Sequence, residues 1–248
     1  MDQYQYLGMA ALSALAVPAA LAVRRGKAAR AVGIASWLAL AAYIPLELAV
    51  VNASAVPYDP MRQVVSALGV TTCDSEPNPV VGDVVCSPWH PLMNWTFTLT
   101  GMAIAVGALC LRAQLPAERR VTVAAWMLAG IGLSYTTSGF IPADLDLLWH
   151  TILALPGMFL QIPAWILLAR ALRGHRTAFA AWTGAALAVH LIGMAGLVAS
   201  PFIDGPGGLF QRAVIWPTYV WAVGAAVMLA RRPVRSGTNE THAVLADR

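Results

Sequence analysis

The sequence predicts an all-α protein: a bundle of seven transmembrane helices, amino terminus outside and carboxyl terminus in the cytoplasm. Three observations carry that prediction. First, 58% of the 248 residues are apolar and only 11% are charged, with a mean hydropathy of +0.65. A soluble domain carries roughly 25% charged residues on average. Second, seven stretches of about 20 residues, the length that crosses a hydrocarbon core of about 30 Å, contain one formal charge between them, Glu47. Third, the Lys and Arg residues gather on alternate links between those stretches. A soluble enzyme, a disordered chain and a nucleic-acid-binding domain are excluded, and the pI of 9.3 reflects orientation signals instead.

The elements follow in order. Residues 4–23 are apolar, and their cations, Arg24, Arg25, Lys27 and Arg30, follow the stretch instead of preceding it. That is the pattern of a first transmembrane helix, not of a secretory signal. The second span, 31–52, runs into a long loop, 53–90. Arg112, Arg119 and Arg120 link the third span, 91–111, to the fourth, 121–141. Pro142-Ala143-Asp144 reads as a helix restart before the fifth span, 148–169. Arg170, Arg173 and Arg176 lead into the sixth, 178–200; a Gly- and Pro-rich turn, 201–212, precedes the seventh, 213–230. Arg231, Arg232, Arg235 and Arg248 follow. Only Arg62 and Arg212 lie on the opposite side, a split of fourteen to two, which by the positive-inside rule sets the topology. Residues 1–230 form one transmembrane domain, and the polar stretch 231–248 reads as a disordered cytoplasmic tail.

The two larger irregular segments fall outside. Cys73 and Cys86 both lie in the first of them, on the oxidising side, which predicts a disulfide. The polar residues also sort toward that side. Glu47 lies about 7 Å below the end of the second span and His190 about 15 Å below the end of the sixth. Asn94, Tyr135 to Ser138, Asp144, Asp146 and His150 lie near the same rim, with Asp204 just past the sixth span and Arg212 before the seventh. A glutamate facing lipid costs about 2.5–3.5 kcal/mol or more, so Glu47 requires the bundle interior, water or a partner. Arg212 and Arg62 are the available cations. Together these residues outline a polar cavity opening outward and floored near His190. Each also has a purely structural reading: Glu47 in a helix-locking ion pair, His190 bonded to a carbonyl or Thr, Asp144 and Asp146 as caps. Trp89, Trp95, Trp149, Trp216 and Tyr219 fit an interfacial aromatic belt.

Three chemistries compete. A zinc site needs three or four ligands, and His90, His150, Asp144 and Asp146 share the rim without any paired-histidine motif on a helix. A Ser-His-Asp set can be drawn from Ser66, His90 or His150 and Asp144, without a nucleophile-elbow pattern. The third is acid–base chemistry by Glu47 and Asp204, with His190, His150 and Asn94 orienting groups and aromatic faces such as Trp95, Tyr135 and Trp216 steadying a developing cation. It needs no metal and no cofactor, and it suits a hydrophobic, lipid-like substrate.

The run Ser66-Ala67-Leu68-Gly69-Val70, then Cys73, then Val85-Cys86-Ser87-Pro88-Trp89-His90-Pro91-Leu92-Met93-Asn94, resembles the DUF998 family of bacterial membrane proteins. Glu47, Gly139-Phe140-Ile141-Pro142-Ala143-Asp144 with His150, and Gly208 with Gln211-Arg212 before Trp216 extend the likeness over helices two to seven; Ala67 departs from it, standing where the family has Asp. The resemblance implies a multi-pass protein of the bacterial plasma membrane. In layout the chain is also similar to small integral-membrane terpene cyclases, which implies Glu47 and Asp204 as the acids and an isoprenoid as substrate. The sequence therefore points to an intramembrane cyclase or isomerase whose partners are membrane lipid and a hydrophobic small molecule. The alternative is a non-catalytic transporter or small-molecule-binding protein.

Overall fold

A computed structural model describes residues 3–73, 76–77, 84–203 and 205–231. Among them the only regular structure is helical: α1 (Gln3–Val23), α2 (Ala29–Ala39), α3 (Tyr43–Asn52), α4 (His90–Leu111), α5 (Arg119–Phe140), α6 (Leu147–Phe159), α7 (Gln161–Leu172), α8 (Thr177–Ile203) and α9 (Gly207–Ala230). α2 and α3 join end to end through a 3₁₀ turn, Leu40–Ala42, and α6 and α7 join at Leu160. The result is seven long rods. Both breaks sit about one turn before a proline, Pro45 and Pro163, where the missing N–H leaves the carbonyl four residues earlier without its helical partner.

Six rods are long and apolar enough to cross a membrane. α5 is not among them, so six of the seven expected spans meet that standard. Its 22 residues reach about 33 Å at 1.5 Å per residue, but Arg119, Arg120 and the run Ser134 to Ser138 make it too polar. Those hydroxyls turn inward: Ser134, Tyr135 and Thr136 are buried.

α4 is the central helix, buried over most of its length, and small residues bring α5 against it. A Cβ on Gly101 would stand 2.5 Å from the Gly132 carbonyl, and one on Gly132 would stand 2.7 Å from the Ala105 nitrogen. Toward the arginine-rich end, Trp37, Trp165 and Trp221 form a fully buried aromatic core with Phe179. Tyr219, expected in an interfacial belt, instead stacks on Tyr43 at 3.9 Å inside the bundle. Trp89 and Trp149 are exposed near the other end.

That other end, the loop end, is closed by folded chain. Cys73 and Cys86 form a disulfide. The Ser54 hydroxyl and the Ala55 N–H both donate to the Cys86 carbonyl. A 3₁₀ turn, Val65–Gly69, buries Val65, Ala67, Leu68 and Gly69, and Thr71 binds the Asp144 carboxylate through both its N–H and its hydroxyl. Residues 61–62 pair through their carbonyls with the N–H groups of Gly208 and Leu209. Gly208 has no room for a side chain there: a Cβ would stand 2.7 Å from the Pro60 carbonyl.

Candidate functional site

Glu47 projects from the middle of α3 and is 1% exposed. Its Oε1 accepts from Arg212 Nε at 2.7 Å and its Oε2 from Trp216 Nε1 at 2.9 Å. Arg212 and Trp216 lie four residues apart on α9, one above the other on a single helix face. Of the two arginines that sequence offered as partners, Arg212 is the one on Glu47.

The rest of the Arg212 guanidinium points into the loop end. Nη1 donates to the carbonyls of Pro60 (2.6 Å), Gln63 (3.0 Å) and Gly208 (3.1 Å), and Nη2 donates to the Tyr58 hydroxyl at 2.8 Å. The Tyr58 ring lies 5.7 Å from the guanidinium carbon. Burial pushes the Tyr58 phenol up to about 12, against the opposing pull of the Arg212 charge. Tyr58 was missed in the sequence because nothing in a loop tyrosine reports its distant partner; the Tyr58-Asp59-Pro60 turn signal beside it is the only local cue.

Beside this pair lies a cavity of about 480 Å³ between α3, α8 and α9. Leu48, Val51, Met61, Val189, Trp182 and Val220 are among its walls, and among the described residues Glu47 and Arg212 are its only charged lining residues. Volume and lining are those of a site for a hydrophobic small molecule. Pro60 and Met61 close it at the loop end. α8 is buried over little of its length, and Val189, which lines the cavity, is 48% exposed, so the cavity opens sideways, toward lipid.

The single polar cavity expected from depth alone is not what the structure contains. His190 is fully buried on α8, its Nδ1 3.0 Å from the Val214 carbonyl and its ring edge-on to Trp165. Asn94 donates to the Gly69 carbonyl at 3.0 Å. Tyr135 accepts from Gln161 at 2.8 Å, and the Gln161 carbonyl accepts from Thr218 at 2.5 Å. His150 Nδ1 lies 2.6 Å from the Ile141 carbonyl. Trp95 is half-buried on α4 and does not line the cavity beside Glu47 and Arg212. Of the proposed site residues, Glu47, Arg212 and Trp216 come together. Asp204 lies outside the described residues.

Among the described residues, no three His, Cys, Asp or Glu side chains converge as metal ligands would. A family model described as "Protein of unknown function (DUF998)" matches residues 45–228, from the first turn of α3 nearly to the end of α9 and therefore through both halves of the ion pair. No curated protein and no solved structure matches the chain.

Proposed function

The chain belongs to the DUF998 family, whose function is unknown, and we propose that this member is a seven-span protein that holds a hydrophobic, isoprenoid- or lipid-like molecule in the cleft beside Glu47 and Arg212. The observation that carries the reading is the cavity of about 480 Å³ whose apolar walls open sideways between α3 and α8. In a membrane such an opening admits a ligand already dissolved in the bilayer. The fourteen-to-two split of cations supports an outside amino terminus and a cytoplasmic carboxyl terminus. The length of α5 and its inward-facing hydroxyls support counting it as the seventh span.

Binding is favoured over acid catalysis by the contacts of Glu47. An acid must present its carboxyl to a substrate, and here both carboxylate oxygens accept bonds from side chains of α9, one of them from a guanidinium. The cyclase or isomerase reading keeps one observation in its favour: Trp182, Trp216 and Trp221 line the same cleft and offer ring faces to a cation.

The test is photocrosslinking in lipid nanodiscs with a diazirine-bearing farnesyl alcohol and a diazirine-bearing fatty alcohol. Adducts on α8 and α9 cleft residues are expected, with Val189→Trp weakening capture about tenfold, the equivalent of about 1.4 kcal/mol. Adducts spread evenly over lipid-facing helices, unchanged in Val189→Trp, would overturn the proposal.

A further inference from the structure

The cleft beside Glu47 and Arg212 has two unlike ends. Its α9 wall runs from Leu209 to Trp221, about 18 Å at 1.5 Å per residue. Leu209 and Met61, at the loop end, are both exposed. At the other end the walls are Trp182 and the fully buried Trp221. The distance between the ends is close to the depth of one leaflet, half of a hydrocarbon core of about 30 Å.

Trp182 forms the floor. Its Nε1 donates to the Trp221 carbonyl at 3.1 Å. Its ring comes against α9 at Gly224, where a Cβ would stand 2.6 Å from that nitrogen. A residue with a side chain at 224 would push the indole away, so the glycine keeps the floor in place.

Polarity is also unequal along the cleft. The other two indole nitrogens are committed within the protein, Trp216 Nε1 to Glu47 and Trp221 Nε1 to Thr183 Oγ1 at 3.0 Å. Both Glu47 oxygens and every Arg212 nitrogen hold partners, and the two charges cancel. Among the described residues, the floor end therefore offers a ligand hydrocarbon and ring faces without an uncommitted side-chain donor. A polar group carried down there loses its water and gains no partner. The loop-end rim differs: Asp59 and Arg62, one acid and one base, are exposed beside Pro60 and Met61.

Building on the reading of the cleft as a lipid site, we propose that it takes a neutral long-chain lipid in one orientation, polar end at the Asp59–Arg62 rim and chain end on Trp182, and that Trp182 sets the chain length. An extended chain advances about 1.2 Å per bond, so roughly 15 carbons reach from rim to floor. Hydrocarbon gains little by leaving lipid for an equally apolar wall, so length is read by fit. A chain that is too long must bend out through the side opening past the exposed Val189.

The experiment uses the full chain in nanodiscs with straight-chain alcohols of ten, fourteen and twenty carbons, each bearing a diazirine at the chain end, and maps adducts by mass spectrometry. The ten-carbon probe should mark Trp216 and Pro217, and the fourteen-carbon probe Val220, Trp221 and Trp182. That is a descent of about one helical turn for every four to five carbons. The twenty-carbon probe should mark Val189 in wild type and Gly224 in Trp182→Ala. Chain-end adducts on Met61 and Leu209, or on the same residues for the ten- and fourteen-carbon probes, would overturn the orientation. A wild-type adduct at Gly224, or a twenty-carbon map unchanged by Trp182→Ala, would overturn the floor. The wild-type series decides both points even where the variant fails to fold. Adducts outside the cleft with every probe are a different failure, that of the cleft as a lipid site.

Discussion

Arg212 Nε donates to Glu47 Oε1 at 2.7 Å across 165 residues of chain, and both side chains are almost wholly buried. The pair joins α3 to α9, while the remaining guanidinium bonds join α9 to residues 58–63. Removing one charge of a buried pair strands the other, at a cost of about 3–5 kcal/mol. Arg212→Ala should lose that much and release the loop as well. Glu47→Gln keeps an amide oxygen for one of the two donors and should lose less, about 1–3 kcal/mol. Chemical denaturation in detergent measures both. Equal losses would mean that the bonds to Pro60 and Gln63 contribute nothing.

Gly101 and Gly132 are predicted to be intolerant of any side chain. The atoms that a Cβ would strike include backbone of the facing helix, which cannot swing aside as a side-chain tip can. Gly132→Ala should cost roughly 1–3 kcal/mol, and valine more. Gly184 on α8 has nothing within 4 Å of where its Cβ would stand; Gly184→Ala should stabilise the helix by up to about 1 kcal/mol. Melting temperatures of the two alanine variants should therefore move in opposite directions.

The Cys73–Cys86 disulfide spans a sequence separation of 13, and its loss should cost roughly 2–4 kcal/mol. The double variant Cys73→Ser, Cys86→Ser and the reduced wild type should melt at the same lowered temperature. In whole cells, a membrane-impermeant maleimide should label the reduced wild type if the loop end faces outward. Labelling only after lysis would reverse the proposed topology.

Much of the scaffold was legible because bilayer physics is one-dimensional. Apolar length and charge along the chain located the seven rods, and the cost of a lone carboxylate in lipid required Glu47 to have company. What depth along a helix does not contain is the angle around it. His190, Asn94, His150 and Glu47 all lie between the loop end and the middle of the bundle, which suggested one cavity, but their helices turn them toward four different neighbours: Val214, Gly69, Ile141 and Arg212. The choice between Arg212 and Arg62 was hidden for the same reason. α5 shows the same limit, since hydropathy along the chain counts its hydroxyls as polar while packing buries Ser134, Tyr135 and Thr136 inside the bundle.

The cover over the loop end also constrains how the protein is made. Its first half, residues 58–65, leaves the ribosome well before α9, yet Arg62, Gln63 and Val65 are held by Gly208, Arg212 and Gln211. The early segment must therefore wait without those anchors while five further rods are synthesised. During that interval Glu47 lacks the arginine that pairs with it in the finished bundle. Arrival of α9 supplies both the partner of Glu47 and the anchors of the cover, so one late helix closes the molecule at two places.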